Sequence, residues 1–367
     1  MMEYIHELAD WPKLTWDEAK LSALLADVRH RQGRLLGRME GLGFLFRSEA
    51  QLSTLTADVV QSSAIEGEKL DADEVRSSIA RRLGLEQAGA VLAGRDVEGI
   101  VEMMLDATQH YTQKLTRERL FGWHAALFPA GRSGMNRITV GAWRPAAVGA
   151  MQVVSGPMGR ERVHFEAPSA EKLEPEMNAF LEWFEAPNAM DPVIKAGVAH
   201  FWFVTIHPFE DGNGRIGRAI ADLQLARADG TAERFYSLSS QIETERKEYY
   251  LQLERGQRNG LDVTGWLEWF LGCLGRATTK ADETLSGVLQ KARFWEKLNQ
   301  QTVNERQRKV INKWLNGFEG KLTSSKYAKI AKCSEDTALR DIRALVERGA
   351  LIKNEAGGRS TSYTLAI

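Results

Sequence analysis

The richest concentration of reactive side chains lies in Ile206-His207-Pro208-Phe209-Glu210-Asp211-Gly212-Asn213-Gly214-Arg215-Ile216-Gly217-Arg218. A histidine such as His207, with a pKa near neutrality, can take a proton from an incoming hydroxyl. Asp211 can hold a Mg2+ ion that bridges phosphate oxygens. The glycines let the backbone approach a ligand closely. A helix start offers unpaired N–H groups and a positive dipole end, which suit a phosphate. Arg215 and Arg218 are three residues apart, so their guanidinium forks leave the same turn and can share a polyphosphate. Base, acid, glycines and paired forks together point to phosphoryl or nucleotidyl transfer, catalysed by positioning and charge neutralisation.

These residues need elements on both sides. Upstream, Ile194, Val198, Phe201, Trp202 and Thr205 form a helical stripe, and Pro208 should end that helix at His207. Downstream, Ile216, Ile220 and Leu223 begin a second stripe, so His207 to Gly214 reads as a tight loop between two core helices. Most of the chain shares this 3- and 4-residue spacing, and prolines number only nine. Residues from about 17 to 83 predict a run of helices. Leu52, Leu55 and Val59 lead into Ser62-Ser63-Ala64-Ile65-Glu66-Gly67, with Gly67 where a helix would stop. Asp71 and Glu74 resemble a capping box before Val75, Ile79 and Leu83. In the central block, about 94 to 276, Val153, Val154, Val163 and Phe165 flank a Gly156–Gly159 turn and predict a β-hairpin. A helical connector follows, about 278 to 300. From about 305 to 367, three short amphipathic helices precede a strand, a Gly357-Gly358 turn and a second strand, the winged-helix pattern.

The loop resembles the Fic family motif His-Pro-Phe-x-Asp/Glu-Gly-Asn-Gly-Arg-x-x-Arg, and every fixed position is met. The resemblance implies a protein adenylyltransferase that moves AMP from Mg·ATP to a Tyr, Thr or Ser hydroxyl. By position it implies His207 as general base, Phe209 as the loop's anchor in the core, and Asp211 as the Mg2+ ligand. Gly212, Asn213 and Gly214 would form an anion cradle, with Asn213 toward the α-phosphate, and Arg215 and Arg218 would hold the outer phosphates. Glu210 stands at the variable position and receives no role. The hairpin, residues 148–167, resembles the family's flap, which docks an extended target segment by strand addition. Ser62 and Glu66 fit the family's inhibitory motif Ser/Thr-x-x-x-Glu-Gly/Asn. A Glu66 carboxylate on Arg218 would remove one fork from the phosphates, and misplacing them by about 1 Å can cost about 100-fold in rate. Relatives often dimerise, so a homodimer is also implied.

The whole reading is a mainly α protein: an N-terminal helical domain (1–90), a Fic core with a β-hairpin flap (91–277), a helical connector (278–304) and a winged helix (305–367). Tyr249 is a further candidate beside the nucleotide, with Tyr250 next to it. His124, His164 and His200 match no zinc spacing and read as structural. A formal net charge of −1 excludes a polyanion binder by composition, although residues 305–359 carry 13 Lys/Arg against 7 Asp/Glu, a local net of +6. Arg340, Arg343 and Arg359 could meet DNA, but Glu335, Asp336 and Asp341 share the same helix, so DNA and protein remain equal partners for this segment. A DNA-binding regulator with a Fic core, a de-AMPylase or a transferase of another nucleotide are the rival readings. Cys273 and Cys333 form no disulfide framework or metal pattern and read as reduced and buried. Residues 1–20 lack the basic and apolar regions of a signal peptide, and no apolar run reaches membrane-spanning length, so a cytoplasmic place is expected.

Overall fold

The computed structural model describes residues 4–85, 91–155, 160, 162–187, 189–258, 260–299, 303–315, 321–354 and 361–366. The chain is mainly helical, and it divides into two compact units, Met1–Ala281 and Asp282–Ile367. The N-terminal helices lie in the same compact unit as the central block, and α2 packs on helices from that block.

In the first unit α1 (Glu18–Glu40), α2 (Phe44–Ile65) and α3 (Ala72–Arg82) come first, followed by α4 (Arg95–Gln109) and α5 (Arg117–Leu127). Two short antiparallel pairs follow, β1 (Arg132–Ser133) with β2 (Asn136–Arg137), then β3 (Gln152–Ser155) with β4 (Arg162–Glu166). The remaining helices are α6 (Leu173–Glu185), α7 (Pro192–Ile206), α8 (Asn213–Asp229), α9 (Leu238–Thr244) and α10 (Arg246–Gly256), and α11 (Thr264–Asn299) begins in this unit. The helix expected over about 278–300 is the later part of α11, which begins at Thr264 and runs unbroken to Asn299. The β3–β4 pair is the hairpin expected from the valine alternation; its Gly156–Gly159 tip lies outside the described residues.

At the centre α7 packs along α8. Nearly every residue of α7 is buried, from Val193 to Ile206, so it is a core helix apolar on all sides rather than an amphipathic one. Asp71 caps α3 by accepting from the N–H groups of Asp73 and Glu74. The other half of the expected capping box does not form: the Glu74 carboxylate accepts instead from Gly94 N–H at 3.0 Å, tying α3 to the start of α4.

The second unit contains α12 (Glu305–Leu315), α13 (Ser324–Ala331), α14 (Glu335–Glu347), β5 (Leu351–Lys353) and β6 (Tyr363–Leu365). β5 and β6 pair antiparallel, and Leu322 bridges to Tyr363 as a third strand position. Its core joins Val310, Ile311, Tyr327, Ala338, Ile342, Leu345 and Leu351. The Gly357-Gly358 turn and Arg359 lie outside the described residues. Cys273 is buried, whereas Cys333 is only half-buried, contrary to expectation. Among the described residues no helix is long and apolar enough to cross a membrane.

Candidate active site and its internal acid pair

α7 ends at Ile206, and His207 caps it in the left-handed region, φ 53° and ψ 58°. A non-glycine residue there costs of order 1–2 kcal/mol and persists only where its surroundings hold it. The chain then turns through Pro208 to Gly212 and enters α8 at Asn213. Phe209 is fully buried, with its ring stacked on His124 at 4.1 Å and near Trp143 at 5.1 Å. The His207 Nδ1–H donates to Val204 O at 3.2 Å, which leaves Nε2 as the basic nitrogen. Burial is the largest influence on this ring and pulls its pKa down to about 4, so the imidazole is neutral at pH 7.

Asn213 begins α8, and its side chain also closes the loop. Its side-chain amide donates to Phe209 O at 2.8 Å and its carbonyl accepts from Phe209 N–H at 3.0 Å. Both ends of the amide thus help close the loop, and the backbone N–H of Asn213 starts α8. With Gly214 and Arg215 it opens α8, where the first-turn N–H groups have no acceptor within the helix.

The arginine forks are occupied. Arg218 is 0 % exposed. Its Nη1 donates to Glu66 Oε1 at 2.8 Å, Nη2 to Ser62 O at 2.7 Å and Nε to Ser62 Oγ at 3.0 Å. Burial opposes its charge most strongly, yet the Glu66 carboxylate, joined by Tyr249 and Tyr250, holds the guanidinium above its ordinary value. Arg215 lies over the Phe128 ring at 5.1 Å and gives Nη1 to Glu68 Oε2 at 2.7 Å. Glu68 has no counterpart in the sequence-based expectation.

Both acids are placed by the end of α2. Glu66 is the C-cap, and Gly67 takes φ 86°. Gly67 N–H donates to Ala64 O at 2.9 Å and Glu68 N–H to Ser63 O at 3.0 Å, the double closure of a Schellman motif. The motif throws Glu66 and Glu68 to the same side, one per arginine. The approach is close: a Cβ on Gly214 would stand 2.0 Å from Glu66 Oε1, so the carboxylate sits directly on the α8 N-terminus. Tyr250, on α10, donates to Ile65 O at 3.2 Å and braces this end of α2.

Asp211 Oδ1 accepts from Gly212 N–H at 2.5 Å, and its Oδ2 accepts from Ser133 Oγ. Among the described residues no group of three or more His, Cys, Asp or Glu converges on a metal position. One carboxylate is too few for a free-standing ion but fits Mg2+ brought in on phosphates, because that ion keeps water and substrate oxygens for its other ligands. Glu210 points elsewhere and accepts from Thr139 N–H at 2.9 Å.

Tyr249 is 1 % exposed and hydrogen-bonded to His200 Nε2 at 2.9 Å, packed among Trp266 and Trp269. A sealed ring cannot border a nucleotide, so Tyr249 is a core residue and Tyr250 is the surface member of the pair. His164 pairs with Glu254 at 2.7 Å and pins the hairpin to α10. His124 lies under the loop, accepting from Gly141 N–H at Nδ1 and donating from Nε2 to Asp211 O, both at 3.2 Å.

Comparison with known proteins agrees with this architecture. Residues 4–85 match a domain of unknown function, DUF4172, and residues 114–225 match the Fic/DOC family. The chain is 27 % identical over 198 residues to "Protein adenylyltransferase fic-1" of Caenorhabditis elegans, covering 53 % of this chain and 35 % of that one. It is 43 % identical over 63 residues to "Protein adenylyltransferase Fic" of Nematostella vectensis, covering 17 % and 15 %. The chain thus spans about a third or less of the length of these curated relatives. In fold it is similar to a Fic family protein from Desulfovibrio desulfuricans G20, with a TM-score of 0.55 at 21 % identity, covering 96 % of this chain and 98 % of that one. Residues 114–225 are a Fic/DOC domain, and the chain is homologous to Fic protein adenylyltransferases.

Proposed function

We propose that this chain transfers AMP from ATP to a hydroxyl of a target protein and restrains itself through Glu66. The observation that carries the reading is the Glu66 carboxylate on the α8 N-terminus, hydrogen-bonded to a fully buried Arg218. An acid at that spot fills an anion position, and the anion it stands in for is a phosphate. In the transfer step His207 Nε2 takes the proton of the target hydroxyl. The hydroxyl oxygen then bonds to the α-phosphorus of ATP, and the bond from that phosphorus to the leaving pyrophosphate breaks. Arg215 and Arg218, once free of their acids, take the charge of the outer phosphates. Asp211 would hold Mg2+, which when bound neutralises phosphate charge. The hairpin, residues 148–167, is the proposed dock for the target segment; Val154 and Val163 are exposed on it.

Intact mass and label transfer from α-labelled ATP test this directly. Glu66→Gly gains one AMP per modified site, on itself or on added target, and Glu66→Gly/His207→Ala gains none. Loss of AMP from a pre-modified target, without any transfer, would favour the reverse reaction.

We also infer that the second unit is a winged helix whose partner is DNA. Asp341, which diluted the charge of α14 in the sequence, is buried and paired with Arg306 at 2.9 Å. Arg340 and Arg343 stay exposed on that helix. Duplex binding with a salt slope that falls by about one per arginine replaced is the expected result; a slope unchanged in Arg340→Ala/Arg343→Ala points to a protein partner.

A further inference from the structure

Arg144 stands outside the Fic motif, and its side chain does unusual work for a buried cation. It is 3 % exposed. No carboxylate bonds to it among the described residues, and burial lowers its pKa more than the nearby charge of Glu171 raises it. An unpaired buried guanidinium is costly, and a neutral residue of similar size would fill the same space more cheaply. What the cation gains is carbonyls. Arg144 Nε donates to His207 O at 2.9 Å, its backbone N–H donates to Pro208 O at 2.9 Å, and Nη2 donates to Pro168 O. The first two acceptors belong to the loop that carries the candidate base. The third lies just past β4, where Ala167 N–H also closes onto Met151 O at the hairpin's root.

The same segment touches the loop at every step. Thr139 N–H holds Glu210, and Gly141 N–H holds His124, which in turn donates to Asp211 O. Residues 139–144 therefore form a cradle under residues 207–211, and Arg144 is its only cross-link to the hairpin among the contacts described. His207 needs that support, since its left-handed backbone is costly and its carbonyl is turned toward Arg144.

We propose that Arg144 is a positioning residue for transfer: it fixes the His207 backbone and sets the hairpin's root in register with it, without touching nucleotide. A target strand on the hairpin then presents its hydroxyl at a fixed distance from His207 Nε2. The proposal rests on the transferase reading given above. It assigns a function to a residue that no position of the Fic motif covers.

The test uses the full chain in the Glu66→Gly background. Arg144→Gln should lower kcat by about 100-fold, the penalty for misplacement of about 1 Å, while ATP affinity stays within about twofold. Arg144→Lys keeps the charge but reaches fewer carbonyls, so it should fall between the two. A kcat within threefold of the parent in folded Arg144→Gln overturns the proposal, as does a loss of ATP affinity equal to the loss of kcat. If the Glu66→Gly parent transfers nothing, the transferase reading has failed and a second readout decides Arg144. In the imidazole 15N spectrum the His207 signals should move in Arg144→Gln and Arg144→Lys while those of His200 stay fixed. Unmoved His207 signals sink the proposal whatever the activity.

Discussion

Removing Glu66 should weaken the protein in buffer and strengthen its response to nucleotide. Arg218 is wholly buried and its other two contacts are a serine hydroxyl and a carbonyl. Glu66→Gly leaves that charge without its counter-ion. Breaking a fully buried pair costs about 3–5 kcal/mol. The Glu66 side chain is 29 % exposed, so water can replace part of the contact, and about 2 kcal/mol is the expected loss. Gly at the C-cap changes the helix end little beside this. For a unit of this size, about 2 kcal/mol corresponds to a Tm lower by roughly 4–8 °C. Mg·ATP should recover most of it, because the γ-phosphate takes the place of the carboxylate on Arg218. The assay is thermal unfolding of wild type and Glu66→Gly, each with and without Mg·ATP. The mutant should melt lower alone and show the larger nucleotide shift. Equal Tm values without nucleotide, together with equal shifts, would refute the claim that Glu66 neutralises Arg218 at an anion site.

Two further outcomes follow from neighbouring groups. Glu68 is 46 % exposed, so its pair with Arg215 is worth less than about 1 kcal/mol; Glu68→Ala should raise transfer only a few-fold alone, read in the same label assay, and leave Tm nearly unchanged. His124, His200 and His207 are buried neutral, with pKa values lowered by burial from 6.5 to about 4, 3 and 4. The unfolded chain binds their protons first, so their contribution is fully present above pH 6.5 and drains as pH falls toward 4. Each costs about 1.4 kcal/mol per pH unit in that window, and a Tm series from pH 8 to 4.5 should be flat at first and then fall steeply.

The candidate loop was legible because its chemistry is contiguous: base, acid, glycines and arginines lie within twelve residues between two flanking helices. Ser62 and Glu66 were legible for a similar reason, as a short motif ending at a glycine. What escaped depends on partners distant in sequence. Glu68 gained meaning only when the Schellman closure turned it toward Arg215; the acid–glycine–acid run Glu66-Gly67-Glu68 was the available hint. Arg144 carries no local signal, since its acceptors are carbonyls near residues 168 and 207. Asn213 was assigned to the anion cradle through the resemblance, and nothing local in the sequence showed that its amide also closes the loop onto Phe209. Tyr249 was misplaced because helical spacing does not distinguish the buried from the exposed member of adjacent tyrosines. That the end of α2 reaches the loop between α7 and α8 was legible only through the short motif at Ser62 and Glu66, because the contact joins residues about 150 positions apart.

The most direct test of the central claim is the ratio of single-turnover AMP transfer in Glu66→Gly and wild type at saturating Mg·ATP, with the same target or self-acceptor. Displaced phosphates predict a ratio of about 100, with transfer in the mutant abolished by His207→Ala. A ratio near one, with both proteins active, would contradict the account.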